Sequence, residues 1–292
     1  MKDFPFGIST GCFYRQSIFD CLRPIQSAGF SRLEICSFPD HLDYHDHQRV
    51  AEASQLIREL RMDAYSFHAP FGPEMDITHL DPQVRKRSVD EVCVAAKAAA
   101  ILGVRHLVIH PGPEKSDLPK AERWDRMTNA AAELEFLAEY CRQLDIYLVL
   151  ENMLPHLFFG CVTDVLWIIG AIRRTDVGVC LDTGHAHLAG DLPHVVPKLS
   201  NHLWMLHASD NSGSADDHYP PGRGGIDWEH LIRQLIKADF SGGIILEIAG
   251  TDNISETLQR AQQGQAYLCD TIRRCNSSLR RDPGDEDRRE GE

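Results

Sequence analysis

The sequence has no apolar run long enough to cross a membrane and few basic residues with which to bind a polyanion. Its hydrophobic stretches fall well short of the roughly 20 residues that a spanning helix needs. The first five residues include an acid and a proline, where a signal peptide would begin its apolar stretch. Lys and Arg number 30 against 43 Asp and Glu, a net charge of −13. This balance disfavours binding to nucleic acid or anionic lipid, so we expect a cytoplasmic protein with no membrane partner.

Two motifs that would identify other classes of protein are also missing. The nine cysteines contain no CxxC pair, and their odd number and apolar surroundings favour reduced core thiols over a disulfide framework. The first strand is followed by Ser9-Thr10-Gly11-Cys12-Phe13 rather than by a glycine-rich GxGxxG turn. This counts against a doubly wound dinucleotide-binding sheet, the main competing α/β fold.

Eight short apolar, β-branched runs alternate with longer segments of helical periodicity. The strand candidates are residues 6–9, 32–35, 64–67, 106–109, 146–150, 177–181, 203–206 and 243–246, and the clearest helices are 48–61, 82–102, 124–144 and 228–238. Such alternation indicates parallel strands joined by crossover helices. Eight units in about 275 residues are typical of a TIM barrel. We predict an α/β fold, a single (β/α)₈ barrel over residues 1–275, followed by a disordered charged tail over 276–292.

The most informative feature is the residue at the carboxyl end of each later strand. In a barrel these ends meet at one rim, where the loops build the active site. Six consecutive strands, the third to the eighth, end in an imidazole or a carboxylate: His68, His110, Glu151, Asp182, His207 and Glu247. Six such placements on apolar strands are not expected by chance. We therefore predict one functional centre at the rim.

The residue types at this rim indicate a metal. Glu, Asp and His form the mixed oxygen and nitrogen ligand set that suits Mn²⁺, Zn²⁺, Co²⁺ or Mg²⁺. Without a cation, carboxylates that meet in a barrel mouth repel one another and their pKa values rise. His185, Asp216 and His218 are candidates for further ligands, and Arg223 for binding a phosphate or carboxylate of the substrate. Asp227 is predicted to cap the helix that follows it.

The motifs at the ends of these strands resemble those of the xylose isomerase-like TIM-barrel superfamily. That superfamily includes sugar isomerases, sugar phosphate epimerases and endonuclease IV-like abasic-site nucleases. The resemblance runs from about residue 6 to 270 and rests on the motifs HAP, HPG, EN, DTGH, HxSD and DxHxPPGxGxIDW. It implies a metal centre at Glu151, Asp182, His207 and Glu247, as in the sugar epimerases. In the nuclease branch it implies a three-zinc cluster with five additional ligands: His68, His110, His185, Asp216 and His218.

The sequence departs from those relatives at two positions. Relatives that act on free ketoses carry a second glutamate six residues beyond the strand-five ligand, where this chain has Leu157. They carry an arginine six residues after the strand-seven histidine, where this chain has Gly213. Both differences count against a ketose 3-epimerase. Glu34, near the end of the second strand, stands where relatives often contact the substrate, although a salt-bridged glutamate is an equal alternative.

We predict a metal-dependent isomerase or epimerase of a small sugar, sugar phosphate or polyol. Glu151 and Glu247 would transfer the proton next to the carbonyl through an enediolate, a first step that a dehydratase shares. The alternative is a zinc-dependent abasic-site endonuclease, which the full ligand set favours and the acidic charge disfavours. A non-catalytic sugar- or metal-binding barrel is disfavoured because the acid pair is present. A homo-oligomer is compatible with the sequence.

Overall fold

Eight parallel strands close into a barrel in the order of the sequence. The structure is a computed structural model that describes residues 4–279. Each strand pairs with the next, and the eighth pairs with the first. The strands are β1 (Phe6–Ser9), β2 (Arg32–Cys36), β3 (Asp63–His68), β4 (His106–Ile109), β5 (Tyr147–Glu151), β6 (Val177–Asp182), β7 (Leu203–Ala208) and β8 (Gly243–Leu246). The predicted (β/α)₈ fold is confirmed, with strand bounds that differ by at most two residues.

Helices follow the strands and surround the barrel. They are α1 (Ile18–Ser27), α2 (His47–Glu59), α3 (Pro82–Leu102), α4 (Arg123–Gln143), α5 (Val162–Ala171), α6 (Thr183–Leu188), α7 (Leu192–Leu199), α8 (Trp228–Lys237) and α9 (Ile254–Leu279). Within residues 4–279, no helix is both long and apolar enough to span a membrane.

Local sequence signals set the ends of several helices. Asp81 accepts a hydrogen bond from the amide two residues on, and Pro82 fills the first position of α3, where its missing amide costs nothing. Gly103, with φ of 77°, ends the same helix in the left-handed conformation that favours glycine. Asp227 accepts from the amide three residues on, at 3.0 Å. Its predicted capping role is therefore confirmed.

The barrel interior is filled by a layer of buried side chains that places the rim residues above it. Along a strand, every second side chain faces the same side. Val149, Cys180, Met205 and Ile245 belong to the interior layer, and each precedes a predicted ligand by two residues. The ligands therefore also face inward, one layer closer to the carboxyl mouth.

The predicted tail begins too early. The sequence analysis assigned residues 276–292 to a disordered tail, but α9 continues through Leu279. Ser278 explains part of this extension, because its hydroxyl accepts a hydrogen bond from Arg233 of α8 at 2.8 Å and donates to the carbonyl of Cys275. The remainder of that prediction, residues 280–292, lies outside the described residues.

Candidate metal centre

Four side chains from neighbouring strands meet at the carboxyl mouth of the barrel. Glu151 ends β5, Asp182 ends β6, His207 lies in β7 and Glu247 follows β8. One ligand atom from each lies within 4.8 Å of the others. The Nδ1 atom of His207 is 3.2 Å from Glu151 Oε1 and 2.9 Å from Glu247 Oε2. The structure thus brings together the four residues that the resemblance implied as ligands.

The donor set fits a divalent cation. Asp182 is fully buried, and its Oδ2 atom has no hydrogen-bond partner among the described residues. Burial raises the pKa of this carboxyl. An unpaired buried carboxylate is costly, so such groups normally bind a metal or a cationic partner. Three carboxylates and one imidazole around a single point are the ligands that Mn²⁺ or Zn²⁺ accepts.

Glu34 lies behind His207 rather than in the cavity. Its Oε2 atom is 3.0 Å from His207 Nε2 and accepts a hydrogen bond from Ser66 at 2.9 Å. Because β2 continues to Cys36, Glu34 sits one layer below the strand end and is fully buried. The predicted substrate contact at Glu34 is therefore corrected. The residue instead orients His207, leaving Nδ1 to face the other three ligands.

Two further histidines contact the same glutamate. His68 Nε2 is 3.1 Å from Glu151 Oε2, and His110 Nε2 is 3.5 Å from the same atom. Burial alone would lower the pKa of His110, but hydrogen bonds and charges from Glu114 and Glu151 raise it to about 9. Both histidines thus belong to the cluster, as the ligand pattern indicated.

A second group of candidate ligands adjoins the first. His185, Asp216 and His218 place one ligand atom each within 4.8 Å of the others. His218 Nε2 is 3.1 Å, and His185 Nε2 is 3.6 Å, from Asp216 Oδ2. Burial opposes protonation of His185, yet Asp182 and Asp216 outweigh it and raise its pKa to about 10. All nine predicted ligand positions therefore form one contiguous cluster.

Asn152 holds this cluster in place, a role that the sequence analysis did not assign. Its side-chain amide donates to the Asp182 carbonyl at 3.1 Å, and its side-chain oxygen accepts from the Asp182 amide at 2.8 Å. Its own carbonyl lies 2.8 Å from His185 Nδ1. The Glu-Asn pair after β5 was the available signal, because an amide beside a ligand can donate and accept at once.

Asp210 builds the loop that carries Asp216 and His218. Its fully buried carboxylate accepts four hydrogen bonds, at 2.9 to 3.1 Å. The donors are the amides of Asn211, Gly222 and Ile226 and the indole of Trp228. The Asp of the HxSD motif, Asp210, thus accepts a hydrogen bond from the Trp of the IDW motif, Trp228. These two motifs therefore stabilise the conformation of the loop that carries Asp216 and His218. The sequence analysis did not assign this role.

A cavity of about 150 Å³ lies over the cluster. Glu151, Glu247 and the histidines form its polar side, and an apolar wall faces them: Phe71, Met153, Leu154 and Leu157. Leu157, noted above as a departure from the ketose enzymes, therefore lines the cavity. None of the described lining residues is Lys or Arg. Arg223, predicted to bind substrate, is exposed and donates to Gln263 of α9 instead.

Comparison with known proteins establishes the family. Residues 22–271 match the family described as xylose isomerase-like TIM barrel, and the chain belongs to it. The predicted membership is thereby confirmed.

Named relatives of this chain fall into both branches of that family. An uncharacterised protein of Methanocaldococcus jannaschii is 28% identical over 91% of this chain and 90% of its own. The fructoselysine 3-epimerase of Escherichia coli O157:H7 is 25% identical over 58% of this chain and 61% of its own. A probable endonuclease 4 of Mycobacterium leprae is 26% identical over 67% and 73%.

Solved structures share the fold at lower identity. A D-tagatose 3-epimerase-like protein superposes with a TM-score of 0.83, at 24% identity over 94% of this chain and 99% of its own. The IolI protein, solved with a zinc atom, gives 0.79 at 16% identity over 92% and 98%.

Proposed function

We propose that this protein is a metal-dependent isomerase or epimerase of a sugar, sugar phosphate or polyol. One observation carries the proposal: Glu151 and Glu247 approach the same nitrogen of His207 from two strands and both line the cavity. Proton transfer next to a carbonyl needs a base and an acid at one carbon. The position of the pair supports a role as that base and acid.

A divalent cation would be held by Glu151, Asp182, His207 and Glu247. When bound, it would polarise the carbonyl of the substrate and stabilise the negative charge that develops as the proton leaves. Zn²⁺ and Mn²⁺ fit the donor set best, and the zinc atom found with the IolI protein, which shares this fold, is compatible with a metal here.

Glu247 is ionised in the metal-free site. Burial would raise its pKa, but the charge of His207 outweighs burial and lowers the pKa to about 2. The carboxylate is therefore ionised at neutral pH in the metal-free protein, and a bound cation, which requires a neutral His207, would take over the role of that imidazolium charge. Glu151 lies on the other side of His207, and its pKa is likewise held low by that imidazole despite burial. One carboxylate would remove the proton, and the other would have to be protonated when the substrate binds in order to return one.

His185 would bind a substrate hydroxyl. It lines the cavity between Glu151 and Asp216, and its Nδ1 is fixed by the Asn152 carbonyl. A ring that is held at one nitrogen presents the other in a defined direction, which helps to orient a substrate over the acid–base pair.

The relatives support this proposal without fixing the substrate. The fructoselysine 3-epimerase of E. coli and the D-tagatose 3-epimerase-like protein are both named for epimerisation at a carbon next to a ketone. The chemistry proposed for Glu151 and Glu247 is of that kind.

Cleavage of abasic DNA is the second candidate, and the His185–Asp216–His218 group favours it. A phosphodiesterase with several zinc ions would use such a second ligand set. Substrate binding weighs against it, because a DNA-binding site needs several Lys, Arg or amide contacts to phosphate. The described cavity lining holds neither Lys nor Arg.

The test is a paired assay on metal-depleted and metal-reloaded protein. Each sample is incubated with a panel of ketoses, inososes and sugar phosphates and, separately, with an abasic-site duplex at physiological salt. We expect conversion of a panel member that disappears on depletion and returns with Mn²⁺ or Zn²⁺. Strand incision without conversion of any sugar would overturn the proposal in favour of the nuclease.

A further inference from the structure

The amino-terminal mouth of the barrel, at the end of the strands away from the metal centre, holds a separate cavity of about 380 Å³. This volume falls within the range of roughly 300–1,000 Å³ that small-molecule sites occupy. We call the cavity the basal pocket and define it by six of its lining residues, which lie at or near the starts of five strands: Arg32, Tyr65, Arg105, His106, Trp204 and Ser241. None of its described lining residues lines the cavity over the metal centre, so the proposed reaction does not use it.

The basal pocket is cationic, although the chain as a whole carries a net charge of −13. Arg32 and Arg105 line it, and none of its described lining residues is Asp or Glu. Asp63, which is not among them, accepts a hydrogen bond from Nε of Arg32 at 2.9 Å and leaves the two terminal nitrogens as donors. Arg105 is exposed and makes no ion pair within residues 4–279. The pocket therefore keeps an excess of positive charge.

The two arginines come from different strands and converge on one wall of the pocket. The central carbon of the Arg32 guanidinium lies 4.5 Å from the centroid of the Tyr65 ring. The backbone of Arg105 is fixed beside the same strand, because its amide donates to the Tyr65 carbonyl at 3.2 Å and its carbonyl accepts from the amide of Tyr147 at 2.9 Å. The ring centroids of Tyr65 and His106 are 4.7 Å apart. Both arginines thus border the same pair of rings.

His106 is a buried polar residue in this wall with an unpaired nitrogen. It is 8% exposed, and its Nδ1 atom has no hydrogen-bond partner among the described residues. Burial lowers the pKa of the imidazole to about 4, and the charges of Arg105 and Arg32 add to this effect. The ring is therefore neutral at pH 7 and keeps one N–H group that it can donate to an anion. Buried polar groups are normally paired, which favours a site that a ligand completes.

We propose that the basal pocket binds the phosphate group of a small phosphate monoester. Arg32, Arg105 and His106 would each donate to one of its three terminal oxygens. Hydrogen bonds from guanidinium to phosphate are charge-assisted and among the strongest that proteins form. A carboxylate offers only two oxygens to these three donors. This site is distinct from the metal centre and does not depend on the function proposed above.

The rings beside the arginines indicate that the ester carries a flat apolar group. The half-buried Trp204 has its ring centroid 6.3 Å from that of His106. A Cβ atom at Gly178 would lie 2.1 Å from the indole, so the glycine leaves room for this ring. Tyr65 is fixed through its hydroxyl, which accepts from the Gly243 amide at 3.1 Å. Aromatic rings bind flat apolar surfaces by stacked and edge-to-face contacts. We therefore expect the phosphate of a ring compound to bind more tightly than inorganic phosphate.

Calorimetry at physiological salt tests the site with phenyl phosphate, inorganic phosphate, benzoate and phenol. Each ligand is titrated into metal-loaded and metal-depleted protein, because a bound metal also attracts anions. Arg105→Gln removes one positive charge, and Ser241→Glu adds a carboxylate to the wall from an exposed position. Arg87→Gln is the matched control, since this arginine of α3 is exposed and does not line the pocket. Circular dichroism checks that each variant is folded.

We expect one phenyl phosphate per chain, with the same affinity in both metal states and at least about tenfold tighter binding than benzoate or phenol. Arg105→Gln and Ser241→Glu should each weaken it about tenfold or more, whereas Arg87→Gln leaves it unchanged. Tighter binding of phenyl phosphate than of inorganic phosphate would support the contact with the rings. No binding, equal binding of benzoate or phenol, loss of binding on metal depletion, or equal weakening in Arg87→Gln would each overturn the site.

Discussion

The imidazole of His207 is in contact with acids at both of its nitrogens. Glu34 lies at Nε2, and Glu151 and Glu247 lie at Nδ1. A carboxylate behind a metal-ligating histidine fixes its tautomer and makes it a stronger ligand, and removal of such a partner typically weakens metal binding 10- to 100-fold. We therefore propose that Glu34 positions His207, because it contacts the imidazole on the side away from the other candidate ligands.

The Glu34→Gln variant tests this role. The amide has the same shape but no charge, so we expect Zn²⁺ affinity to fall by about 10- to 100-fold while the fold is retained. Competition with a fluorescent chelator measures the affinity, and circular dichroism checks the fold. Glu59→Gln, on an exposed position of α2, is the matched control. Unchanged affinity in Glu34→Gln would show that this carboxylate does not orient His207.

The Glu247→Gln variant tests the acid–base pair. The amide keeps the shape of the side chain but cannot accept the proton, and general acid–base catalysis contributes at least about a hundredfold. We expect turnover to fall by that factor or more with no loss of folded protein. Glu139→Gln, an exposed change on α4, should leave turnover unaltered. If Glu247→Gln retained more than about a tenth of the wild-type turnover, the two-carboxylate mechanism would be wrong.

Metal binding should depend on pH with a definite sign. Burial opposes protonation of His207, but facing acids that include Glu34, Glu151 and Glu247 hold its pKa well above the usual value. The metal-free imidazole is therefore protonated at neutral pH, whereas a metal ligand must be neutral. Affinity for Zn²⁺ should rise from pH 6 to pH 9, with protons released on binding. Calorimetry in two buffers of different ionisation enthalpy counts those protons, and no release would contradict this assignment.

At the scale of elements, the loop between β7 and α8 carries two of the nine ligand positions, and one buried acid shapes it. The Asp210→Asn change would turn an amide N–H group toward two donors, either those of Gly222 and Trp228 or those of Asn211 and Ile226, because only one oxygen remains to accept. A hydrogen bond to a charged group contributes about 1.5–3 kcal/mol. We expect a loss of about 3 kcal/mol in the free energy of unfolding, measured by urea denaturation. A loss under about 0.5 kcal/mol would show that the loop does not depend on this carboxylate.

The ends of the strands were predictable from sequence, whereas the packing of the loops was not. Glu151, Asp182 and His207 follow apolar strands whose alternation sets the inward face, so their convergence needs only the barrel closure. Glu34 was misassigned because β2 continues two residues beyond it, to Cys36. A single carboxylate within a strand carries no signal of which residue faces it across the barrel.

The aromatic rings that pack beside the metal centre had even less signal in the sequence. Tyr14, Phe38 and Phe71 come from three different loops, and only the folded barrel brings the rings of Tyr14 and Phe71 each within 6 Å of the Phe38 ring. The link from Asp210 to Trp228 spans eighteen residues of loop and depends on the conformation of the whole segment. Contacts of this kind are set by tertiary structure. The periodicity of apolar residues along the sequence does not predict them.

At the scale of the whole molecule, charge and cavity lining point to the same kind of substrate. The chain carries a net charge of −13, and the cavity over the metal centre has no Lys or Arg among its described lining residues. A long-range negative potential repels polyanions and concentrates cations. This charge is compatible with the proposed cation and weighs against a polyanionic substrate such as DNA.

The most direct test of the central claim is exchange of substrate hydrogen with solvent deuterium. Metal-reloaded protein is incubated in D₂O with the panel of ketoses, inososes and sugar phosphates, and NMR follows the hydrogen on the carbon next to the carbonyl. The account predicts that this hydrogen is replaced by deuterium, that chelation stops the exchange, and that Glu247→Gln slows it at least about a hundredfold. Exchange at the same rate with and without metal, or no exchange in any panel member together with incision of an abasic duplex, would contradict it.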